Sequence, residues 1–388
     1  MNQLLLQAKR FPTLQIPYLV AQIQARQKAK NKLPEWTENI EVFFPKMLSL
    51  EQSSSEITAK FKAELIKGES ILDLTGGMGI DLSYLSKSFQ NAFYAEQNPD
   101  LAKITQYNYQ VLGIQNVQFF TGNSESWLQE NERKFSWIYL DPHRRDDTGN
   151  KVVKLQDCEP NILKIKDLIF EKSDNILLKV SPMLDIDLAI LELKNVIKVY
   201  IVAVENEVKE ILFQLQKNYE GEATITAVNF PKSSNTTDIN ELEKQIFSFR
   251  KSEEKTAIIQ FSEAQAFLYE PNAAILKSGA FRMTTQHFGL QKIAPHSHLY
   301  TSAELVEDFQ GRSFQVQGVC KLDKKEISRY LSGNKANITI RNFPLTVKQI
   351  REKLKINEGG EHYLFATTDA KNQKIVIICK KVTRVSNS

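Results

Sequence analysis

The chain is 388 residues long, 42% hydrophobic and 25% charged, which excludes a disordered or fibrous polymer and leaves room for two or three domains, each with its own core. No apolar run approaches the roughly 20 residues of a membrane-spanning helix, and the N-terminus lacks the apolar core and cleavage site of a secretory signal, so a soluble cytoplasmic protein is expected. The net charge of +4 is unevenly spread: residues 311–388 hold 16 Lys and Arg against 6 Asp and Glu, and residues 1–34 hold six basic residues and no acidic one, leaving an acidic centre.

Basic ends of this kind suit a polyanionic partner such as RNA, since nucleic-acid affinity rests on Lys and Arg neutralising phosphates; the alternative is that they serve solubility alone. Cys158, Cys320 and Cys379 are an odd number without C-x-x-C spacing, which argues against a disulfide framework or a zinc knuckle. The histidines lack supporting carboxylate spacing, although His296 and His298 stand at strand spacing, and no metal is expected.

In chain order, "QIPYLVAQIQARQKAKN" places Ile16, Leu19, Val20 and Ile23 at helical spacing with a basic far side, an amphipathic helix that docks on a neighbour or touches a phosphate backbone. Residues 1–67 read as a helical N-terminal unit. From Ile71 strands and helices alternate. "SILDLT", "AFYAEQ", "VQFFTG", "FSWIYLD", "NILLKVSP" and "VIKVYIVAV" read as strands, joined by the helices of "IDLSYLSKSF", "PDLAKITQYNYQVLG", "EPNILKIKDLIFEKS" and "LDIDLAILELKN". That alternation predicts an α/β fold with a parallel sheet covered on both faces. Residues 205–270 are assigned to the edge of the same sheet, with a helix through "EVKEILFQLQ" and strands at "ATITAVNF" and "TAIIQF". A boundary falls near "YEPN", followed by a small αβ piece and a basic α+β terminal domain.

Ligands of such sheets bind beyond the carboxyl ends of the strands. The first strand runs into "DLTGGMGID", where Gly76, Gly77 and Gly79 allow a sharp turn and close approach of backbone to a ligand. The second ends in Glu96 and Gln97, about twenty residues on, where an acid can accept both hydroxyls of a ribose. Asn123 and Ser124 end the third, within reach of a nucleobase. The fourth ends in Asp141-Pro142, followed at once by His143, Arg144 and Arg145. Glycines, acid, amide and Asp-Pro on four consecutive strand ends form a constellation that none of them makes alone.

Taken together, "ILDLTGGMGID", "YAEQNP", "FTGNSES" and "WIYLDP" resemble the cofactor and catalytic motifs of class I S-adenosylmethionine-dependent methyltransferases. With "YLDPHRRD", "LLKVSPMLDI", "LYEPNAAILKSGAF" and "ANITIRNFPLTVKQIREKLK", the chain from about Lys67 onward is similar to the bacterial methyltransferases with a C-terminal THUMP-like domain. The resemblance implies a Rossmann-like seven-stranded core over 68–270, a ferredoxin-like piece over 271–313 and a THUMP-like domain over 314–388, with RNA (tRNA or rRNA) as substrate. It also implies S-adenosylmethionine as cofactor, its methionine part held by Asp73, Thr75, Gly77 and Gly79, its ribose by Glu96 and its adenine near Asn123, with Gly76, Asp81, Gln97 and Ser124 completing the cofactor site. Thr75 stands where a first glycine is common and Asn123 where aspartate is, and His143-Arg144 replaces the proline-aromatic pair of many amine-methylating relatives.

Methyl transfer is an in-line displacement governed by alignment of the nucleophile. Asp141 can hydrogen-bond an amine or take a proton from a hydroxyl, with Pro142 setting its direction. Arg144 and Arg145 either hold a phosphate or pair with Asp146 and Asp147 to brace the loop. In the terminal domain, Arg341, Lys348, Arg351 and Lys355 cluster around a helix start, beside Phe343 and Tyr363; they suit RNA-backbone binding with base stacking, or form a solvated face. Two further readings stand beside RNA methylation: a methyltransferase acting on a protein or small molecule, and an RNA-binding protein without catalysis.

Overall fold

The computed structural model describes residues 13–144, 154–232, 239 and 241–382. The described residues fall into two compact units, the first drawn from Met1–Val202, Lys209–Ala223 and Lys232–Glu243, the second from Ala203–Val208, Thr224–Pro231 and Lys244–Ser388.

Among the described residues four helices precede the sheet of the first unit, Ile16–Ala29, Pro34–Glu38, Met47–Gln52 and Glu56–Leu65. Only part of the apolar stripe expected on the first helix is used: Ile16 and Val20 are buried, whereas Leu19 and Ile23 remain exposed. Small side chains take over instead. Ala25 and Ala29 allow close packing against Trp36 and Phe44, and the same core includes Met78, Tyr84 and Tyr109 of the neighbouring α/β region. Arg26 is committed to this docking, its guanidinium donating to the carbonyls of Thr37, Asn39, Ile40 and Val42 at 2.8–3.0 Å.

The strands that follow are β1 (Gly68–Asp73), β2 (Phe89–Glu96), β3 (Val117–Thr121), β4 (Trp137–Leu140), the two short strands β5 (His143–Arg144) and β6 (Cys158–Glu159), β7 (Asn175–Val180), β8 (Val196–Val204) and β9 (Glu207–Gln216). Within the first unit they lie in the order β8-β9-β7-β4-β1-β2-β3. The pairs β3–β2, β2–β1, β1–β4 and β4–β7 are parallel; β9 runs antiparallel to β7. Side-chain caps start the intervening helices: Asn98 accepts from the backbone of Asp100 and Leu101, and Asn161 from Leu163, replacing partners that a first helical turn lacks.

One sequence expectation fails here. "EVKEILFQLQ", expected as a helix, is strand β9. Its apolar residues also satisfy helical spacing, but Glu210 to Phe213 form a continuous buried run, as an interior strand with both faces covered requires. The entry is a tight turn at Glu205 and Asn206, with φ of 51° and 65°, a hairpin signal carried without the usual glycine.

In the second unit, β10 (Thr224–Phe230) pairs antiparallel with β11 (Gln245–Arg250). "TAIIQF", expected as a strand at the edge of the first sheet, begins with the end of a helix, Lys251–Thr256, and among the described residues makes an isolated bridge from Phe261 to Lys292 of the C-terminal sheet. Next come β12 (Phe267–Pro271), the helices Ala273–Ser278 and Phe281–Phe288, β13 (Gln291–Lys292) and β14 (Tyr300–Ser302). The chain ends in β15 (Gly311–Cys320), β16 (Asn337–Arg341), β17 (His362–Thr368) and β18 (Lys374–Lys381). These strands form one sheet in the order β13-β14-β12-β15-β18-β17-β16. The helix Val347–Leu354 is started by a capping box between Thr346 and Gln349 and buries Ile350 and Leu354 against the sheet.

Candidate active site

The carboxyl ends of β1, β2, β4 and β7 open into one cavity of about 730 Å³, lined by Asp73, Thr75, Gly76, Gly77, Gly79, Asp81, Glu96, Gln97, Asn123, Ser124, Asp141 and Pro142. All the cofactor residues expected from the sequence therefore share one space, together with the Asp-Pro pair. Arg144 contributes backbone to β5, opposite Cys158. Arg145, Asp146 and Asp147 lie outside the described residues.

The glycine turn is held from behind by hydroxyls. Tyr94 and Thr105 donate to the carbonyl of Gly77 at 2.6 and 3.0 Å, and Tyr109 donates to that of Gly79 at 2.6 Å. A Cβ at Gly76 would meet the Tyr94 ring at 2.4 Å, and one at Gly79, where φ is +73°, would meet Thr105 at 2.6 Å. Only glycine fits at either position. In front, Glu96 Oε2 accepts from the N–H of Gly77 at 2.8 Å and Oε1 from that of Asn98 at 2.8 Å. Each carboxylate oxygen keeps a further lone pair, enough for two ligand hydroxyls.

Thr75 joins two strand ends. Asp73 Oδ1 accepts from its backbone N–H at 2.9 Å and from its hydroxyl at 3.2 Å, and the same hydroxyl accepts from the N–H of Asp141 at 2.7 Å. A glycine there could not make this bridge. Burial pushes the Asp73 carboxyl up to about 8, against the hydrogen bonds from Thr75 and with help from the negative charges of Asp81 and Asp141. The same burial favours its neutral, protonated form. Asn123 is exposed and its side chain caps the helix Ser124–Glu130 through Ser126 at 2.9 Å.

Behind Asp141 lies an ionic cluster that sequence reasoning missed. Lys179 of β7 hydrogen-bonds Asp141 Oδ2 and stands 3.9 Å from Asp81. Lys62, from the helix before β1, is fully buried, 2.6 Å from Glu210 of β9 and 3.1 Å from Asp81. Asp81 also accepts from the Tyr139 hydroxyl at 2.6 Å and that of Ser54 at 2.8 Å. Its carboxylate is thus bound up within the protein although the residue lines the cavity. Burial alone would raise it, but Lys62 and Lys179 hold it below the usual carboxylate range. Burial also works against the charge of Lys179, yet Asp141, Asp81 and Glu210 outweigh it and keep the ammonium charged. The available signal was a lysine inside the apolar run of "NILLKV", since buried lysines are rare unless paired.

In the second unit the four basic residues expected to hold substrate are not equivalent. Arg341 donates to Glu270 Oε1 at 2.7 Å, and Arg312 binds the other oxygen of the same buried carboxylate. Arg351 donates to the carbonyl of Ala336 at 3.2 Å, while Lys348 and Lys355 are exposed. Phe343 and Tyr363 are both half-buried. Phe343 packs on the core of the domain, and Tyr363 lies against Phe314 with ring centroids 5.0 Å apart.

Family models match residues 267–309 as a ferredoxin-like domain and residues 311–381 as a THUMP domain-like region. No curated protein matches the chain in sequence. Among solved structures, a "putative methyltransferase" from Porphyromonas gingivalis W83 is 30% identical with a TM-score of 0.85, covering 95% of this chain and 91% of that one. An rRNA methylase from Streptococcus thermophilus is 14% identical at TM-score 0.31, over 42% of this chain and 94% of that one. A modification subunit of a "putative type I restriction enzyme" from Vibrio vulnificus YJ016 is 14% identical at TM-score 0.36, over 54% and 57%.

Proposed function

This chain belongs to the family of class I methyltransferases that end in a THUMP-like domain, and from that premise we propose that it transfers a methyl group from S-adenosylmethionine to a nucleotide of tRNA or rRNA in the cytoplasm. The observation that carries the reading is the single cavity in which the glycine turn, Glu96 and Asp141 converge. Its volume is in the range of small-ligand sites, and the turn that only glycine permits at 76 and 79 is part of its wall.

When bound, the cofactor supplies an electrophilic methyl group on a sulfonium. The chain does the rest. Gly77 and Gly79 cradle the amino-acid part, Asp73 faces its cationic groups, and the remaining lone pairs of Glu96 receive the ribose hydroxyls. Gln97, Asn123 and Ser124 flank the base. Asp141, aimed by Pro142 and by the Thr75 bridge to its N–H, orients the acceptor for in-line attack. The basic terminal domain, with Lys348 and Lys355 exposed, supports an RNA substrate over a protein or small molecule, because its charge matches phosphate.

The test is mass spectrometry of nucleosides from tRNA and rRNA of a strain lacking the gene against its parent. Loss of one methylated nucleoside, restored by the gene and not by its Asp141→Ala form, is expected; identical profiles in both RNAs would count decisively against the proposal.

A further inference from the structure

We infer that the acceptor atom is a hydroxyl oxygen, the ribose 2′-hydroxyl of RNA, and that Lys179 and Asp141 act together as the catalytic pair that activates it; this rests on the methyl-transfer reading above. The geometry sets the sign of the charge at the acceptor. A nitrogen acceptor becomes positive as its bond to carbon forms, and a neighbouring ammonium opposes it. An oxygen acceptor gives up a proton and becomes negative, and the same ammonium stabilises it. Lys179 lines the cavity beside Asp141.

Its charge is also available. Among the described residues the Lys179 ammonium hydrogen-bonds Asp141, whereas Asp81, 3.9 Å away, lies beyond hydrogen-bond reach. Asp81 and Glu210 have Lys62 at 3.1 and 2.6 Å. An ammonium has three donors, so Lys179 can turn one to an acceptor oxygen while still holding Asp141. Lys62 and Glu210 form a second pair behind it that keeps the cluster charged and ordered.

In the transfer, the oxygen–carbon bond forms as the carbon–sulfur bond breaks and its electron pair passes to sulfur. The hydroxyl proton goes to Asp141 and on to water, while Lys179 balances the charge on oxygen.

The experiment incubates the whole protein with methyl-labelled S-adenosylmethionine and tRNA or rRNA from the strain lacking the gene, followed by alkaline hydrolysis. A 2′-O-methyl group blocks attack on the adjacent phosphodiester, so label is expected in alkali-resistant dinucleotides. Lys179→Met should lower turnover at least about 100-fold, as loss of one preorganised charge does, with calorimetric cofactor affinity within about threefold of the parent and partial recovery in Lys179→Arg. Label in alkali-labile, base-methylated mononucleotides overturns the hydroxyl inference but leaves RNA methylation standing. Bound cofactor without label in either RNA overturns both. The product analysis uses the unaltered protein and so is independent of how the variants fold.

Discussion

Removing the buried cation Lys62 tests whether the cluster beneath the cavity is the charged network its geometry describes. The ammonium is fully buried, 2.6 Å from Glu210, 3.1 Å from Asp81 and 3.3 Å from the Ser54 hydroxyl. Lys62→Met keeps most of the side-chain volume, so the cavity contribution is small, and the loss reports on charge. Breaking a buried pair by removing one partner costs about 3–5 kcal/mol. Glu210 is already raised by burial, with Lys62 opposing that shift; without Lys62 it rises further.

A carboxyl raised in the folded state contributes stability that is lost as pH climbs through its folded value. The deficit of Lys62→Met should therefore be larger at pH 8 than at pH 5. Pairing it with Glu210→Leu removes the uncompensated acid and should restore at least half of the loss. The assay is urea unfolding followed by tryptophan fluorescence, which reports the first unit alone because Trp36, Trp127 and Trp137 are the only tryptophans in the chain. A loss below about 1 kcal/mol, the range of exposed pairs, or a deficit indifferent to pH and to the second substitution, would refute the reasoning.

Gly76→Ala should cost about 1–3 kcal/mol by overpacking and weaken cofactor binding at least tenfold by calorimetry, because the Tyr94 ring 2.4 Å from the new methyl is tethered to Gly77 by its hydroxyl. With the Asp73 carboxyl raised to about 8, cofactor binding at pH 7 should release roughly one proton as the cationic ligand lowers it. Calorimetry in buffers of different ionisation enthalpy measures this, and Asp73→Asn should abolish it. In the second unit, Lys348→Ala should reduce the salt dependence of RNA binding by about one phosphate contact. Arg341→Met should instead lower stability by about 1–3 kcal/mol, since among the described residues buried Glu270 is left with Arg312 alone; equal loss of RNA affinity in both variants would contradict that division of roles.

How far this site can be read from the chain follows from the range of the forces involved. Short motifs carry their own geometry: glycines at 76 and 79 where no Cβ fits, a proline fixing the backbone after Asp141, and asparagines that cap the helices they precede. Alternating strands and helices then bring the strand ends into one crevice, and so Asp73, Glu96, Asn123 and Asp141 were recognisable as companions before any coordinate. Strand β9 was not legible, because a strand covered on both faces loses the alternation that distinguishes it from a helix. The misreading of β9 also concealed Glu210, which as a helical residue would have belonged to a solvated face.

Arg341 and Arg351 show the same limit at the surface: a charge count cannot tell a free cation from one committed to Glu270 or to a carbonyl. Sequence alone settles the helix caps, the glycine turn and the order of the first four strand ends, since these depend on neighbours within a few residues. The pairing of Lys62 with Glu210 and of Lys179 with Asp141 spans 148 and 38 positions. Only tertiary folding decides it, because a buried charge takes its meaning from whichever partner the packed core brings within reach.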